Sequence, residues 1–152
     1  MDPIDEILKD AEKYRSEKQY ELALEKYTEA IASLYASRGE VFGLLQRFEN
    51  EVDDFTSALN LTTNDWLNNH LHFMRGLTYL IMRDYEKAIL DLTIAIEKKP
   101  VFQYFYLRGS AFEATGDYQR AREDYVITLK LYPAHQEARE SLAGLDIKES
   151  KA

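Results

Sequence analysis

The chain has 152 residues, 19 of them Lys or Arg and 27 Asp or Glu, for a formal charge of −8. An acidic surface repels phosphate, which sets nucleic acid and anionic membrane surfaces aside as partners. Cysteine is absent, so disulfides, thiolate zinc sites and cysteine nucleophiles fall away together.

Hydrophobic residues make up 45% and charged residues 30%, the balance of a folded globular chain about one domain long. Only 6 Gly and 3 Pro interrupt it, which points to helices. No apolar run approaches the roughly 20 residues of a spanning helix. The start, Met1-Asp2-Pro3-Ile4-Asp5-Glu6, lacks the basic and apolar stretches of a secretory signal. The expectation is a cytoplasmic, all-α, single-domain protein over residues 1–147.

In chain order, Asp2 and Pro3 suit an N-cap and a first helical residue. A first helix pair over about 4–31 carries Ala11, Tyr14, Tyr20, Ala23, Tyr27 and Ala30. A second, over 32–65, carries Arg38-Gly39-Glu40-Val41-Phe42, then Phe48, Phe55 and Ala58. Between these pairs either one helix runs straight through or the chain turns near 34–36. Ser37-x-x-Glu40 is a capping-box pattern and favours the turn. Asn64 and Asp65 are the N-cap candidates of the next linker. The third pair, over 69–101, has helices at about 66–82 and 84–98 and closes at Pro100. The fourth, 102–133, closes at Pro133. Ala138, Leu142 and Leu145 then form a narrow apolar stripe on a polar helix, 134–146, suited to cap the last pair. Residues 148–152 are expected to fray.

The pairs repeat one another. Phe73-Met74-Arg75-Gly76-Leu77-Thr78-Tyr79 returns as Tyr106-Leu107-Arg108-Gly109-Ser110-Ala111-Phe112. Gly76 to Gly109, Ala88 to Ala121 and Pro100 to Pro133 are each 33 residues apart. Small residues let paired helices approach, and aromatics such as Tyr79 and Phe112 fill the space beside them. This pattern resembles the tetratricopeptide repeat, a 34-residue helix-turn-helix unit with a Leu-Gly-x-x-Tyr, Ala-x-x-x-Phe and Pro signature. The repeat positions are Ala11, Ala23, Gly39, Gly76, Tyr79, Ala88, Pro100, Gly109, Ala121 and Pro133. Arginine precedes each glycine, where the family carries leucine, and Glu51 stands where Ala23, Ala88 and Ala121 stand in the other copies.

The resemblance implies a right-handed superhelix of about four repeats plus a capping helix. It also implies a peptide-binding groove lined by the first helix of each pair. Carried over, the lining is Leu8 and Glu12 in copy one and Glu40 in copy two. Copy three supplies His70, Phe73, Leu77, Leu80 and Ile81; copy four supplies Tyr106, Ser110 and Glu113. Asp5, Arg15, Ser16, Ala36, Leu44 and Gln103 share those faces. Members that clamp acidic chaperone tails place Lys, Asn or Arg where Leu8, Glu12, Phe73 and Leu77 stand here, so that ligand class is not expected. His70 and His72 point to different helix sides, and His135 is taken as surface. The acidic pairs Asp53-Asp54 and Glu123-Asp124 are taken as solvated helix faces. No phosphate loop or nucleophile elbow occurs, so neither enzymatic activity, cofactor nor metal is expected. The expected function is a protein-interaction scaffold for an apolar or apolar-basic peptide. The alternatives are a chaperone that shields a client segment and a subunit that self-associates, as a homodimer, through the groove.

Overall fold

A computed structural model of the chain describes residues 3–149, and among them are eight helices and no strand. They are α1 (Pro3–Ser16), α2 (Tyr20–Leu44), α3 (Phe48–Leu61), α4 (Asp65–Ile81), α5 (Tyr85–Lys98), α6 (Phe102–Ala114), α7 (Tyr118–Leu131) and α8 (Gln136–Glu149). Asp2 and residues 150–152 lie outside the described residues. Lys148 and Glu149, expected to fray, continue α8. Backbone contacts group the chain into two compact units, residues 1–75 and 76–152.

In the first unit, α2 packs against both α1 and α3. It is one unbroken helix of 25 residues, so the turn expected near 34–36 does not form. No Gly or Pro occurs between Tyr20 and Arg38, and Ala23, Ala30, Ala32 and Ala36 are strong helix formers. In mid-helix the backbone N–H groups already have partners, so the Ser37/Glu40 pattern has no orphan donor to cap. Ala36, Phe55, Ala58 and Leu71 form the buried core, with Tyr35, Leu59, Leu67 and Met74 against it. In the second unit Phe112, Ala121, Tyr125, Ala138 and Leu145 are buried together, with Leu142 packed on them. The stripe on α8 therefore closes this core.

Each helix pair turns in the same way. Lys18, Gln46, Arg83 and Gly116 take positive φ of 62°, 56°, 62° and 82°. The next residue's N–H donates back to a carbonyl five residues earlier: Gln19 to Tyr14, Arg47 to Phe42, Asp84 to Tyr79, Asp117 to Phe112, each 2.9 Å. These are Schellman ends, which satisfy helix-terminal carbonyls. Asn64, Asp84 and Asp117 then cap the following helices by accepting from Leu67, Lys87 and Arg120 N–H groups.

The glycines lie where the facing helix leaves no room. A Cβ on Gly39 would come within 2.8 Å of the Phe55 ring, and one on Gly109 within 2.9 Å of the Tyr125 ring. On Gly76 it would meet Leu92 at 3.1 Å. Ala11, Ala23, Ala88 and Ala121 are likewise buried. Pro100 and Pro133 stand exposed just beyond α5 and α7. Glu51 is buried with its carboxyl against Gly43, where a Cβ would come within 2.5 Å.

Asp54 and Asp124 are not solvated, contrary to expectation. Arg38 donates Nε to Asp54 Oδ2 and Nη2 to Oδ1, both at 2.6 Å. Arg108 makes the same fork to Asp124 at 2.8 Å. Arg38 and Arg108 thus neutralise buried carboxylates on the second helix of their own pair.

Candidate functional site

In the first unit, the expected lining starts on α1. Leu8 is 36% exposed, and Glu12 is exposed. The Glu12 carboxylate accepts from the Tyr27 hydroxyl and pairs with Arg15. That hydrogen bond raises the Tyr27 hydroxyl above its ordinary pKa. Ala36, placed on the same face from sequence, is buried in the core instead. Glu40 lies exposed on α2, 3.8 Å from His70 Nε2. His70 stacks on Trp66, with ring centroids 5.3 Å apart and planes 10° from parallel. Trp66 is 70% exposed and Leu44 is 84% exposed. Phe73 is half-buried.

Glu40, Trp66 and His70 thus form a flat aromatic face beside a carboxylate. Such a face attracts cations through the ring quadrupole and the charge together. Trp66 was missed from sequence because it stands outside the repeat positions. The available signal was the chain's one tryptophan, a single helical turn before His70.

In the second unit, Leu77 and Leu80 are half-buried and Ile81 is 53% exposed. The three copy-four positions come together, but toward the start of α8. The Tyr106 ring lies 4.5 Å from the His135 ring and 5.9 Å from the Tyr125 ring. Ser110 donates to the Tyr106 carbonyl at 3.0 Å. Tyr125 donates to Glu113 Oε2 at 2.7 Å, and burial pushes the Tyr125 hydroxyl well above its ordinary pKa. His135 is not a surface residue: its side chain is 12% exposed and its Nδ1 accepts from the Ala138 N–H at 3.1 Å. It caps α8 while packing on Tyr106 and the Phe102 ring.

Among the described residues no group of three or more His, Cys, Asp or Glu is placed to hold a metal ion. No helix there is long and apolar enough to cross a membrane.

A family model for the tetratricopeptide repeat matches residues 73–134 and, overlapping it, 106–145. Human DnaJ homolog subfamily C member 7 is 32% identical over 92 residues, covering 54% of this chain and 18% of that protein. The chain thus spans about a fifth of that relative's length. Among solved structures, the second such domain of human RPAP3, in complex with the HSP70 peptide SGPTIEEVD, is 25% identical with a TM-score of 0.67. That similarity covers 76% of this chain and 98% of the RPAP3 domain. MamA from Desulfovibrio magneticus, residues 41 to the end, shares the fold at 16% identity and a TM-score of 0.74, over 99% of this chain and 87% of that one. Residues 73–145 thus match the tetratricopeptide repeat family, and the described chain shares the fold of solved domains of that family.

Proposed function

We propose that this protein is a non-catalytic interaction module that takes an apolar-basic peptide segment on the first helices of its repeats. The observation that carries this is the Trp66–His70 stack beside Glu40 in the first unit. Leu44 supplies exposed apolar surface on the helix that carries Glu40, and Leu8 does so beside Glu12 on α1. A lysine or arginine of the ligand would sit over the rings and meet a carboxylate, while its apolar neighbours cover the leucines.

The RPAP3 domain's named ligand is an acidic peptide. Here Leu8, Glu12, Phe73 and Leu77 stand at the clamp positions, so an acidic tail would find no cation at those positions and meet Glu12 and Glu40. Like charge across an interface opposes binding. The preference is therefore the reverse of that relative's.

The test is fluorescence anisotropy on the full chain with a labelled peptide of alternating Leu and Lys, against its Leu and Glu counterpart. The Lys peptide should bind, more weakly at higher salt. Glu12→Gln with Glu40→Gln should weaken it about tenfold, roughly 1.4 kcal/mol. Equal or tighter binding of the Glu peptide would overturn the proposal.

A further inference from the structure

The outer face of α2 carries an apolar stripe that, among the described residues, meets other helices only through Tyr27, which donates to Glu12 on α1, and Arg38, which pairs with Asp54 on α3. Leu24, Ile31, Leu34 and Val41 are 68, 47, 53 and 52% exposed. With Tyr27 and Arg38 between them, and Tyr20 and Leu45 at the ends, the stripe advances by alternating steps of four and three residues. That is a 3.5-residue repeat, the period at which two helices keep one seam in contact. It runs from Tyr20 to Leu45, about 37 Å at 1.5 Å per residue.

The stripe is almost uncharged on a protein of charge −8. Of the residues flanking the seam, Glu21 alone carries charge; Thr28, Tyr35, Ser37, Phe42 and Leu44 do not. Arg38 is the only charged residue within it, and Asp54 already neutralises that guanidinium through two 2.6 Å bonds. The Arg38 guanidinium also lies over the Tyr35 and Phe42 rings. An acidic or basic partner would find little to pair with here. An equally neutral, equally apolar seam would.

We infer that a second copy of this chain occupies the seam, with the two α2 helices antiparallel. The spacing is self-complementary in that arrangement. A two-fold axis beside Ala32 and Ser33 sets Ile31 against Leu34 of the second copy and Leu24 against its Val41. It also sets Tyr20 against Leu45, and the Tyr27 ring against Arg38, a cation–π layer. A parallel pair would oppose Arg38 to Arg38, so the antiparallel one is selected. A specific interface starts at about 1,200 Å² in total, so the pair must bury most of the exposed seam formed by Tyr20, Leu24, Ile31, Leu34, Val41 and Leu45 on each copy. The contact uses none of Glu40, Trp66 or His70; Leu44 flanks the seam, and Tyr27 within it donates its hydroxyl to Glu12.

The test is light scattering after size exclusion on the full chain from about 1 to 100 μM, with single cysteines introduced for cross-linking. The wild type should reach dimer mass within that range. Leu34→Glu, at an exposed position, should give a monomer with unchanged circular dichroism. Leu24→Cys protein mixed with Val41→Cys protein should form a disulfide-linked pair. Leu24→Cys alone should not, because two copies of position 24 lie about 25 Å apart in the antiparallel register. A wild-type monomer throughout, a dimer that survives Leu34→Glu, or cross-linking of Leu24→Cys with itself would each overturn the inference.

Discussion

Arg108 and Asp124 form a two-point ion pair, Nε to Oδ2 and Nη2 to Oδ1, each 2.8 Å, with the Asp124 side chain 3% exposed. Arg108 also donates Nη1 to Thr93 Oγ1 on α5 at 3.1 Å. One guanidinium thus ties α6 to its own partner helix and to the second helix of the preceding pair. Arg108→Leu leaves a buried carboxylate without its cation and should lower stability by about 3–5 kcal/mol, measured by urea unfolding. Adding Asp124→Leu should restore most of that loss, because an uncharged buried pair no longer needs a partner. The same change at Arg38, whose side chain is 60% exposed, should cost less, since water reaches that pair.

Two glycines should respond in opposite directions. At Gly109 even a methyl group meets the buried Tyr125 ring at 2.9 Å, and Gly109→Leu should destabilise by more than about 2 kcal/mol through overpacking. Gly144 lies in α8 with open space around it, so Gly144→Ala should raise stability by roughly 0.5–1 kcal/mol through helix propensity. Thermal unfolding followed by circular dichroism separates the two.

Asp84 and Asp117 give the fold part of its acid sensitivity. The side chains of Lys87 and Arg120, with their backbone N–H groups, hold both carboxyls below the ordinary carboxylate pKa. A depressed folded pKa adds stability that is present above the unfolded value of about 4 and is lost as pH falls through the folded value. Wild-type protein should therefore lose more unfolding free energy between pH 5 and pH 3 than the Asp84→Asn/Asp117→Asn variant. The asparagines keep a cap acceptor but do not titrate.

His135 should matter more than a surface residue would. His135→Ala removes both the α8 cap and the ring beside Tyr106, and should cost about 1–2 kcal/mol in urea unfolding. His135→Asn, which can still cap, should recover part of the loss.

The helix pairs were legible because three landmarks shared one 33-residue spacing. The ion pairs were also written in the sequence, though only in hindsight of the fold. Arg38 and Asp54 are 16 residues apart, as are Arg108 and Asp124, and as are Gly39 and Phe55 or Gly109 and Tyr125. The sequence repeats the Arg-to-Asp spacing at Arg75 and Asp91 and reverses its signs at Asp10 and Lys26. Read as neighbours of Asp53 and Glu123, Asp54 and Asp124 looked solvated; what buried them was a facing helix. The continuity of α2 was a contest between an alanine-rich stretch and a capping box, and propensity summed over 25 residues prevailed over one local motif. Trp66 and His135 were missed because each acts once, outside the repeated positions.

The most direct measurement of the peptide site is the emission of Trp66, the chain's one tryptophan, during titration with the unlabelled Leu and Lys peptide. A saturable blue shift, absent with the Leu and Glu peptide and weakened by Glu40→Gln, is the expected result. Unchanged emission at saturating Lys peptide, or a shift produced by the acidic peptide instead, would contradict it.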